Sequence, residues 1–220
     1  MRRIDILRPS VAWAWWASLL CLLAMAATWT LAELVPAVRW RDAMLLYDFD
    51  RQTHPGVDAL ASQLLHLLDP LLYTVWALLV VAVALLRRRP RVALAAAIVL
   101  PAAPGIAELL KPLLAHPHDG GGLHVIGPAS WPSGHATAAM ALVLCALLVA
   151  PRRLRPPLAA VGGAFAAAVG CSLLILAWHM PSDVLGGFLL AALCVSLAIA
   201  VLGPGWDRPG RLLGRRGGEL

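Results

Sequence analysis

Three short polar segments interrupt an otherwise apolar chain, and each carries residues that can handle a phosphate group. The first begins at Lys111, the second is Ser130–His135 with the sequence SWPSGH, and the third contains His179 and Asp183. A carboxylate beside a histidine can hold the imidazole in one tautomer and support its positive charge. A histidine supported in this way can attack phosphorus and form a phosphohistidine. The third segment therefore predicts a nucleophilic pair.

The second segment has the composition of an anion cradle at the start of a helix. Ser133 is a favourable N-cap, Gly134 lets the backbone approach a ligand closely, and the amides of the next turn converge on one point. His135 stands beside that point and can protonate a leaving oxygen. Lys111 can neutralise charge on the phosphate oxygens. This chemistry depends on positioning and charge stabilisation, so we expect neither a metal ion nor an organic cofactor.

Most of these polar residues also have a purely structural interpretation. Lys111 follows Glu108 by three residues, which is typical of an interfacial ion pair or of an anchor at the membrane surface. His116 and His118 fit a solvated loop, and His135 fits a helix start that has no chemical task. Only the three polar segments taken together favour catalysis over these interpretations.

Transmembrane helices are the elements that must position these segments. The chain is 60% hydrophobic and its mean hydropathy is +0.78, whereas soluble domains are about 45–50% apolar. The excess lies in long uncharged runs, which predict an integral membrane protein. The net charge of +6 does not indicate nucleic-acid binding, because the Arg residues cluster between apolar runs and no basic stripe is interleaved with aromatic residues.

The apolar runs predict an all-α, six-span transmembrane bundle that forms one integral membrane domain over residues 1–220. A polar loop is expected from about Pro36 to Asp58, between the first two spans. The predicted spans cover residues 11–35, 66–86, 92–110, 134–150, 158–178 and 184–202. Four cysteines inside these runs have no Cys-x-x-Cys spacing and predict neither a disulfide nor a metal site. They are Cys21, Cys145, Cys171 and Cys194.

The distribution of basic residues predicts the orientation of the bundle. The two termini, the second loop and the fourth loop together carry 14 Arg residues, and the first, third and fifth loops carry 4 basic residues. The positive-inside rule then places both termini in the cytoplasm. All three polar segments are therefore expected on the extracytoplasmic face of the plasma membrane.

The polar segments resemble the signature motifs of the type 2 phosphatidic acid phosphatase superfamily, which includes integral-membrane lipid phosphatases. Residues 132–135 read Pro-Ser-Gly-His, and Ser172, His179 and Asp183 have the spacing of another family motif. Lys111 matches the start of a third. The resemblance covers roughly residues 108–190. It implies that His179 is the nucleophile, that Asp183 orients it, and that His135 is the acid for the leaving group.

The resemblance also implies that Lys111, Ser133 and Gly134 bind the phosphate. Two arginines of the family pattern are replaced, one by His118 and one by Leu173. Arginine binds phosphate through two parallel hydrogen bonds, which neither replacement reproduces. Either His116, His118 or an arginine of the first loop supplies the missing charge, or the activity is weak, altered or lost.

The sequence therefore predicts a metal-independent membrane phosphatase that hydrolyses a lipid phosphomonoester or diphosphate, such as a phosphatidate or a polyprenyl diphosphate. Its expected partners are the phosphorylated lipid and the bilayer, without nucleic acid and without an obligate protein partner. Haloperoxidases share the phosphate-site motifs, but those are expected to be soluble and larger. The alternative is a non-catalytic membrane protein that binds or carries a phosphorylated lipid.

Overall fold

The structure is a computed structural model that describes residues 9–51, 53–115 and 126–202. Within these ranges the chain forms only helices and the turns between them, with no strand, so the predicted all-α class is confirmed. A 3-10 turn at Arg152–Leu154 leads into the seventh helix. The helices are α1 Pro9–Leu34, α2 Pro36–Asp50, α3 Pro55–His66, α4 Pro70–Leu86, α5 Pro90–Leu113, α6 Gly134–Val149, α7 Arg155–Ile175 and α8 Pro181–Leu202.

Proline marks where most of these helices begin. It is the first residue of α1 to α5 and of α8. The first amides of a helix have no partner inside the helix, so proline loses no hydrogen bond there, and its fixed φ already suits the helix. Val35 between α1 and α2 is extended, with φ −104° and ψ 107°. These two helices are therefore separate elements and not one bent helix.

Several helices are long and apolar enough to cross a membrane. They are α1, α5, α8, and α7 together with its 3-10 turn. The pair α3 and α4 bends by 52° and counts as a fifth span when it is taken as one broken crossing. Helix α6 is apolar but has only 16 residues. The chain is thus a multi-pass membrane protein, and the count of six spans and the cytoplasmic termini stay predictions.

Two sequence expectations in the first half of the chain need correction. The loop predicted over residues 36–58 is instead mostly helical, with α2 and the start of α3 inside it. Leu46 of α2 is fully buried, and α2 packs against α1, α7 and α8. This tertiary packing stabilises the helix. Its mixture of acidic and basic residues indicates a polar loop from the sequence alone. The predicted span 66–86 starts later as a helix, at Pro70, because α3 ends at His66.

Small side chains let the central helices approach one another closely. Helix α8 packs against α1, α5 and α6, and α6 also packs against α5 and α7. Membrane helices associate through close packing of such residues, since lipid tails are as apolar as the helices themselves. The buried alanines of α5, α6 and α8 include Ala96, Ala103, Ala107, Ala136, Ala139 and Ala191.

Helix α5 contains prolines inside its length. A proline leaves a backbone carbonyl of the helix without its amide partner, and a side chain of α4 bonds one such carbonyl. Pro104 has no N–H to offer the carbonyl of Leu100, four residues before it. Tyr73 of α4 donates its hydroxyl to that carbonyl at 2.7 Å, and the Tyr73 side chain is buried. The bond ties α4 to α5 beside the cavity described below.

Arg89 fixes the end of α6 that lies away from the polar segments. Its buried side chain donates to the carbonyls of Leu148 at 2.7 Å and Val149 at 3.3 Å. The last carbonyls of a helix have no partner within it, and a cation there also interacts favourably with the helix dipole. The position of α6 is therefore set at both ends, by Arg89 at one and by the site at the other.

Candidate active site

Residues 130–135 form a rigid turn into α6. The Ser133 hydroxyl accepts the amide of Ala136 at 3.4 Å, so Ser133 is the N-cap that the sequence predicts. Thr137 donates its hydroxyl to the carbonyl of Ser133 at 2.7 Å. The side chains of Ser133 and Thr137 are fully buried. We call residues 132–136 the cradle.

His179 lies in the turn just before α8, next to Asp183 in the first turn of that helix. His179 Nδ1 is 3.2 Å from Asp183 Oδ2, which also accepts the amide of Met180 at 2.9 Å. The Asp183 side chain is fully buried, and its Oδ1 has no hydrogen-bond partner among the described residues. With Nδ1 turned to the carboxylate, Nε2 is the nitrogen of His179 left for chemistry.

The chain reaches His179 through a tight helix ending. Ala177 has a left-handed φ of 51°, and its amide donates to the carbonyl of Leu174 at 3.0 Å. Trp178 donates its amide to the carbonyl of Leu173 at 2.9 Å. These two bonds form a Schellman motif, normally built with glycine, and the left-handed alanine costs about 1–2 kcal/mol. The turn directs His179 back toward the cradle.

The cradle and the nucleophilic pair are joined directly. The amide of Ser133 donates to the backbone carbonyl of Asp183 at 3.0 Å. Glycines on α8 make this approach possible. A Cβ at Gly187 would lie 2.6 Å from the carbonyl oxygen of Ser133, and one at Gly186 would lie 2.5 Å from Nε1 of Trp131. Helix α8 therefore lies against the cradle backbone with no room for a side chain.

His135, which is part of the cradle, lies in the first turn of α6. Its ring is 5.9 Å from the ring of Trp178, the neighbour of His179 in sequence, in an edge-to-face arrangement of 63°. The ionisable groups around His135 include His179, Lys111, Asp69 and Glu108. The structure thus brings His135 into the same site as His179.

Lys111 reaches the cradle through Glu108. Its ammonium lies 2.7 Å from Oε1 of Glu108 one turn earlier on α5, the ion pair that the spacing allows. The same oxygen is 2.6 Å from the point where a Cβ of Gly134 would be. The ion pair that the structural interpretation expects is therefore present and lies beside Gly134, and the binding of phosphate by Lys111 stays a prediction.

A cavity of about 680 Å³ opens beside His135. Asp69, Glu108 and His135 line it at the helix ends, and its walls continue along α4 and α5 to apolar residues such as Val81 and Ala96. From the start of α4 to Val81 the helix rises about 16 Å, so the cavity extends well into the apolar layer. Its volume falls within the range of about 300–1,000 Å³ of small-molecule sites.

Of the two positions where the family pattern has an arginine, the structure describes only Leu173. His116 and His118 lie outside the described residues. Leu173 is fully buried in the main apolar core. Of the arginines in the first loop, Arg39 donates to the carbonyl of Glu33, and Arg51 lies 5.7 Å over the ring of Tyr47.

Asp42 is a residue of this site that sequence reasoning missed. Its Oδ2 accepts the hydroxyl of Ser182 at 2.5 Å, and its Oδ1 accepts the amide of Ser182 at 3.1 Å. Burial raises the pKa of the Asp42 carboxyl to about 6, with smaller upward contributions from Asp183 and Glu33, although the bonds from Ser182 lower it. Asp42 and Ser182 are 140 residues apart, so no local pattern could have paired them.

Within the described part of the chain, no group of three or more His, Cys, Asp or Glu side chains is arranged to hold a metal ion. The described polar groups instead form a cradle of backbone amides, two histidines, a buried carboxylate and one lysine. Such an arrangement can bind an anion and attack it from His179.

Comparisons with known proteins concern the family and the fold of the chain. A family model described as the PAP2 superfamily matches residues 10–205. The fold is similar to the crystal structure of the first transmembrane PAP2-type phosphatidylglycerolphosphate phosphatase, from Bacillus subtilis, with a TM-score of 0.70 and 21% sequence identity. The match covers 83% of this chain and 94% of that one. No curated protein sequence matches the chain significantly.

Proposed function

Because this chain belongs to the PAP2 superfamily, we propose that it is a membrane phosphatase that hydrolyses a phosphorylated lipid through a phosphohistidine. The observation that carries the proposal is the direct bond between the cradle and the nucleophilic pair, from the Ser133 amide to the Asp183 carbonyl. A phosphate held by the cradle would lie next to His179, and proximity of this kind supplies much of the rate of phosphoryl transfer.

In the first step His179 Nε2 attacks the phosphorus. A bond forms between Nε2 and phosphorus as the bond from phosphorus to the leaving oxygen breaks. His135 gives its proton to that oxygen, which leaves as a lipid alcohol or, from a diphosphate, as a lipid monophosphate. Asp183 accepts the hydrogen bond from Nδ1–H of His179 and supports the positive charge of the imidazole. The distance of 3.2 Å between Nδ1 and Asp183 Oδ2 supports this role.

In the second step water releases the phosphate. His135, now neutral, takes a proton from a water molecule that attacks the phosphorus of the phosphohistidine. The bond between Nε2 and phosphorus breaks, and inorganic phosphate leaves. The amides of residues 134 and 135 in the cradle and the Lys111 ammonium stabilise the charge on the equatorial oxygens in both steps, which is the task that a metal ion has in other phosphatases.

A lipid fits this site better than a soluble phosphate ester does. The cavity beside His135 has apolar walls and reaches along α4 and α5, where a lipid chain would lie. The Bacillus subtilis protein of similar fold acts on phosphatidylglycerolphosphate. For this chain we propose the same class of substrate, a lipid phosphomonoester or diphosphate, with phosphatidates and polyprenyl diphosphates as its members to test.

The 14-to-4 distribution of basic residues supports six spans, cytoplasmic termini and an active site on the extracytoplasmic face of the plasma membrane.

One observation favours a second candidate, a protein that binds a phosphorylated lipid without hydrolysing it. Leu173 occupies an arginine position of the family motif and is fully buried in the apolar core, so no cation reaches the phosphate from there. Loss of that charge weakens stabilisation of the transition state more than it weakens anchoring of the lipid tail.

Phosphate release from the purified protein separates the two candidates. The assay uses detergent micelles that contain a short-chain phosphatidate or a polyprenyl diphosphate, with chelator present. We expect release from the wild type and none from His179→Ala, while the variant still binds the lipid through the cradle and Lys111. Binding without release by the wild type would favour the second candidate, and equal release by both proteins would refute the role of His179.

A further inference from the structure

Helix α2 is linked to the nucleophilic pair through the side chain of Asp42. It packs against α7 and α8. His179 lies in the turn between these two helices, and Asp183 is in the first turn of α8. Asp42 bonds both the amide and the hydroxyl of Ser182, the residue just before Asp183.

The first amides of α8 explain why a carboxylate is placed there. The Ser182 amide is in the first turn and has no acceptor inside the helix. A carboxylate near a helix N-terminus also interacts favourably with the helix dipole. The next amide, of Asp183, bonds the carbonyl of Met180 at 3.0 Å. Asp42 therefore caps α8 from another helix and completes the bonding of its first turn.

Two bonds to one residue restrict that residue more than one bond does. With both its amide and its hydroxyl held, Ser182 cannot rotate about the backbone without breaking one of them. The Asp183 Cα is the next in the chain, and the Asp183 carboxylate is the group that fixes His179 at 3.2 Å. A small rotation of the first turn of α8 would therefore change the direction of Nε2.

We propose that Asp42 is a positioning residue that acts through Ser182 to hold the His179–Asp183 pair in its reactive geometry. The proposal rests on the proposed function, since it concerns the rate of that reaction. It assigns α2, which the family motifs do not include, to the active site.

The protonation state of Asp42 provides a readout that a purely structural contact would lack. Its pKa is raised by burial to about 6, so the carboxyl changes charge within an accessible pH range. The charged groups that face it are Glu33 on α1 and Asp183 on α8. Helix α7 also packs against α2, and its only charged residue, Arg155, is at the opposite end of that helix.

The direction of the pH effect follows from the hydrogen bonds. Above pH ~6 the ionised carboxylate accepts both bonds from Ser182. Below it one oxygen carries a proton, which a carboxylic acid donates, so the two acceptor positions are no longer both available. The positioning effect should therefore be present above the pKa and fade as the pH falls through it.

The test measures kcat and KM from pH 4.5 to pH 8.5 for full-length wild type and Asp42→Asn, with short-chain phosphatidate and polyprenyl diphosphate in micelles. Asparagine keeps the shape but cannot accept both bonds. Partners that orient a catalytic histidine at metal sites are worth about 10–100-fold, which sets the scale. We expect kcat of Asp42→Asn to fall at least tenfold at pH 8 with KM changed less than threefold. The ratio of wild-type to variant kcat should decline toward 1 below pH 5.

Asp48→Asn is the matched control. Asp48 is on the same helix and exposed, so the variant removes the same charge without touching Ser182. We expect its kcat to equal that of the wild type at every pH. Ser182→Ala removes one of the two bonds and keeps Asp42, and it should lower kcat about three- to tenfold. If Asp42→Asn does not fold, as shown by its thermal unfolding, Ser182→Ala decides the question.

Several results would overturn the proposal. One is a kcat of Asp42→Asn, or of Ser182→Ala, within twofold of that of Asp48→Asn. Another is a wild-type to variant ratio that does not change with pH. If the wild type is active and one of these two results is found, only the proposed role of Asp42 is refuted, and the phosphatase assignment stays in place. A wild type that releases no phosphate from either substrate refutes both.

Discussion

Replacing Gly187 with alanine tests whether catalysis needs the close approach of α8 to the cradle. The new Cβ would lie 2.6 Å from the carbonyl oxygen of Ser133 and 3.0 Å from the amide nitrogen of Thr137. Both are backbone atoms and cannot rotate away. Carbon–oxygen contacts of this kind lie at about 3.3 Å or more, so α8 and the cradle must separate by about 0.7 Å.

The size of the effect follows from that displacement. Overpacking a close contact costs about 1–3 kcal/mol, and alanine regains about 0.5–1 kcal/mol over glycine inside a helix. We therefore expect Gly187→Ala to lose up to about 2 kcal/mol of unfolding free energy. A displacement of about 1 Å at a reacting centre costs about a hundredfold in rate. If the logarithm of the rate falls in proportion to the displacement, a shift of about 0.7 Å should lower kcat by roughly 25-fold.

The assay compares phosphate release and thermal unfolding of Gly187→Ala with those of Gly163→Ala. Gly163 is also inside a helix, and a Cβ there meets no atom within 4 Å. This control gains the same helix propensity without a clash, so its kcat should match the wild type and its unfolding midpoint should rise slightly. Equal kcat for the two variants would show that the contact between α8 and the cradle is not needed for catalysis.

Three further predictions concern topology, metal dependence and the missing arginines. A cysteine replacing Gly127, where a Cβ meets no atom within 4 Å, is tested in a variant that lacks the four native cysteines. It should react with a membrane-impermeant thiol reagent in intact cells. Labelling only after permeabilisation would contradict the predicted orientation. EDTA should leave phosphate release unchanged, and a loss restored by a divalent ion would contradict metal-independent chemistry. A free histidine loses its charge near pH ~6.5, so the double variant His116→Arg, His118→Arg should keep a low KM at higher pH than the wild type; coinciding KM profiles would show that neither histidine carries substrate charge.

Local sequence patterns predicted the parts of the site that are close in sequence. The i, i+4 spacing of His179 and Asp183 placed their side chains within 3.2 Å, and Ser133 caps α6 as its residue type and position indicated. The three-residue spacing of Glu108 and Lys111 gave their ion pair. In each case the two residues are three or four positions apart, in a helix or at its start, so the local backbone brings them together.

Long-range contacts were beyond such patterns. The pairing of Asp42 with Ser182 depends on how α2 packs against α8, and nothing in the mixed charges of residues 36–50 distinguishes Asp42 from its neighbours Asp48 and Asp50. The direct bond from Ser133 to Asp183 is between backbone atoms, which carry no residue-type signal at all. The sequence motifs named both of these residues, but not that their backbones are hydrogen-bonded to each other.

The length of α6 has a consequence for where the lipid phosphate is met. Its 16 residues span about 24 Å, whereas the hydrocarbon core of a bilayer is about 30 Å thick. Suppose that the end of α6 next to Arg89 lies at the cytoplasmic boundary of the hydrocarbon core. The cradle at the other end of α6 then lies about 6 Å inside the extracytoplasmic boundary, unless the bilayer thins around the protein. Such hydrophobic mismatch costs fractions of a kcal/mol per Å. The thickness of the surrounding membrane would then set the depth to which a lipid headgroup must descend, and shorter-chain bilayers would present the phosphate level with the cradle.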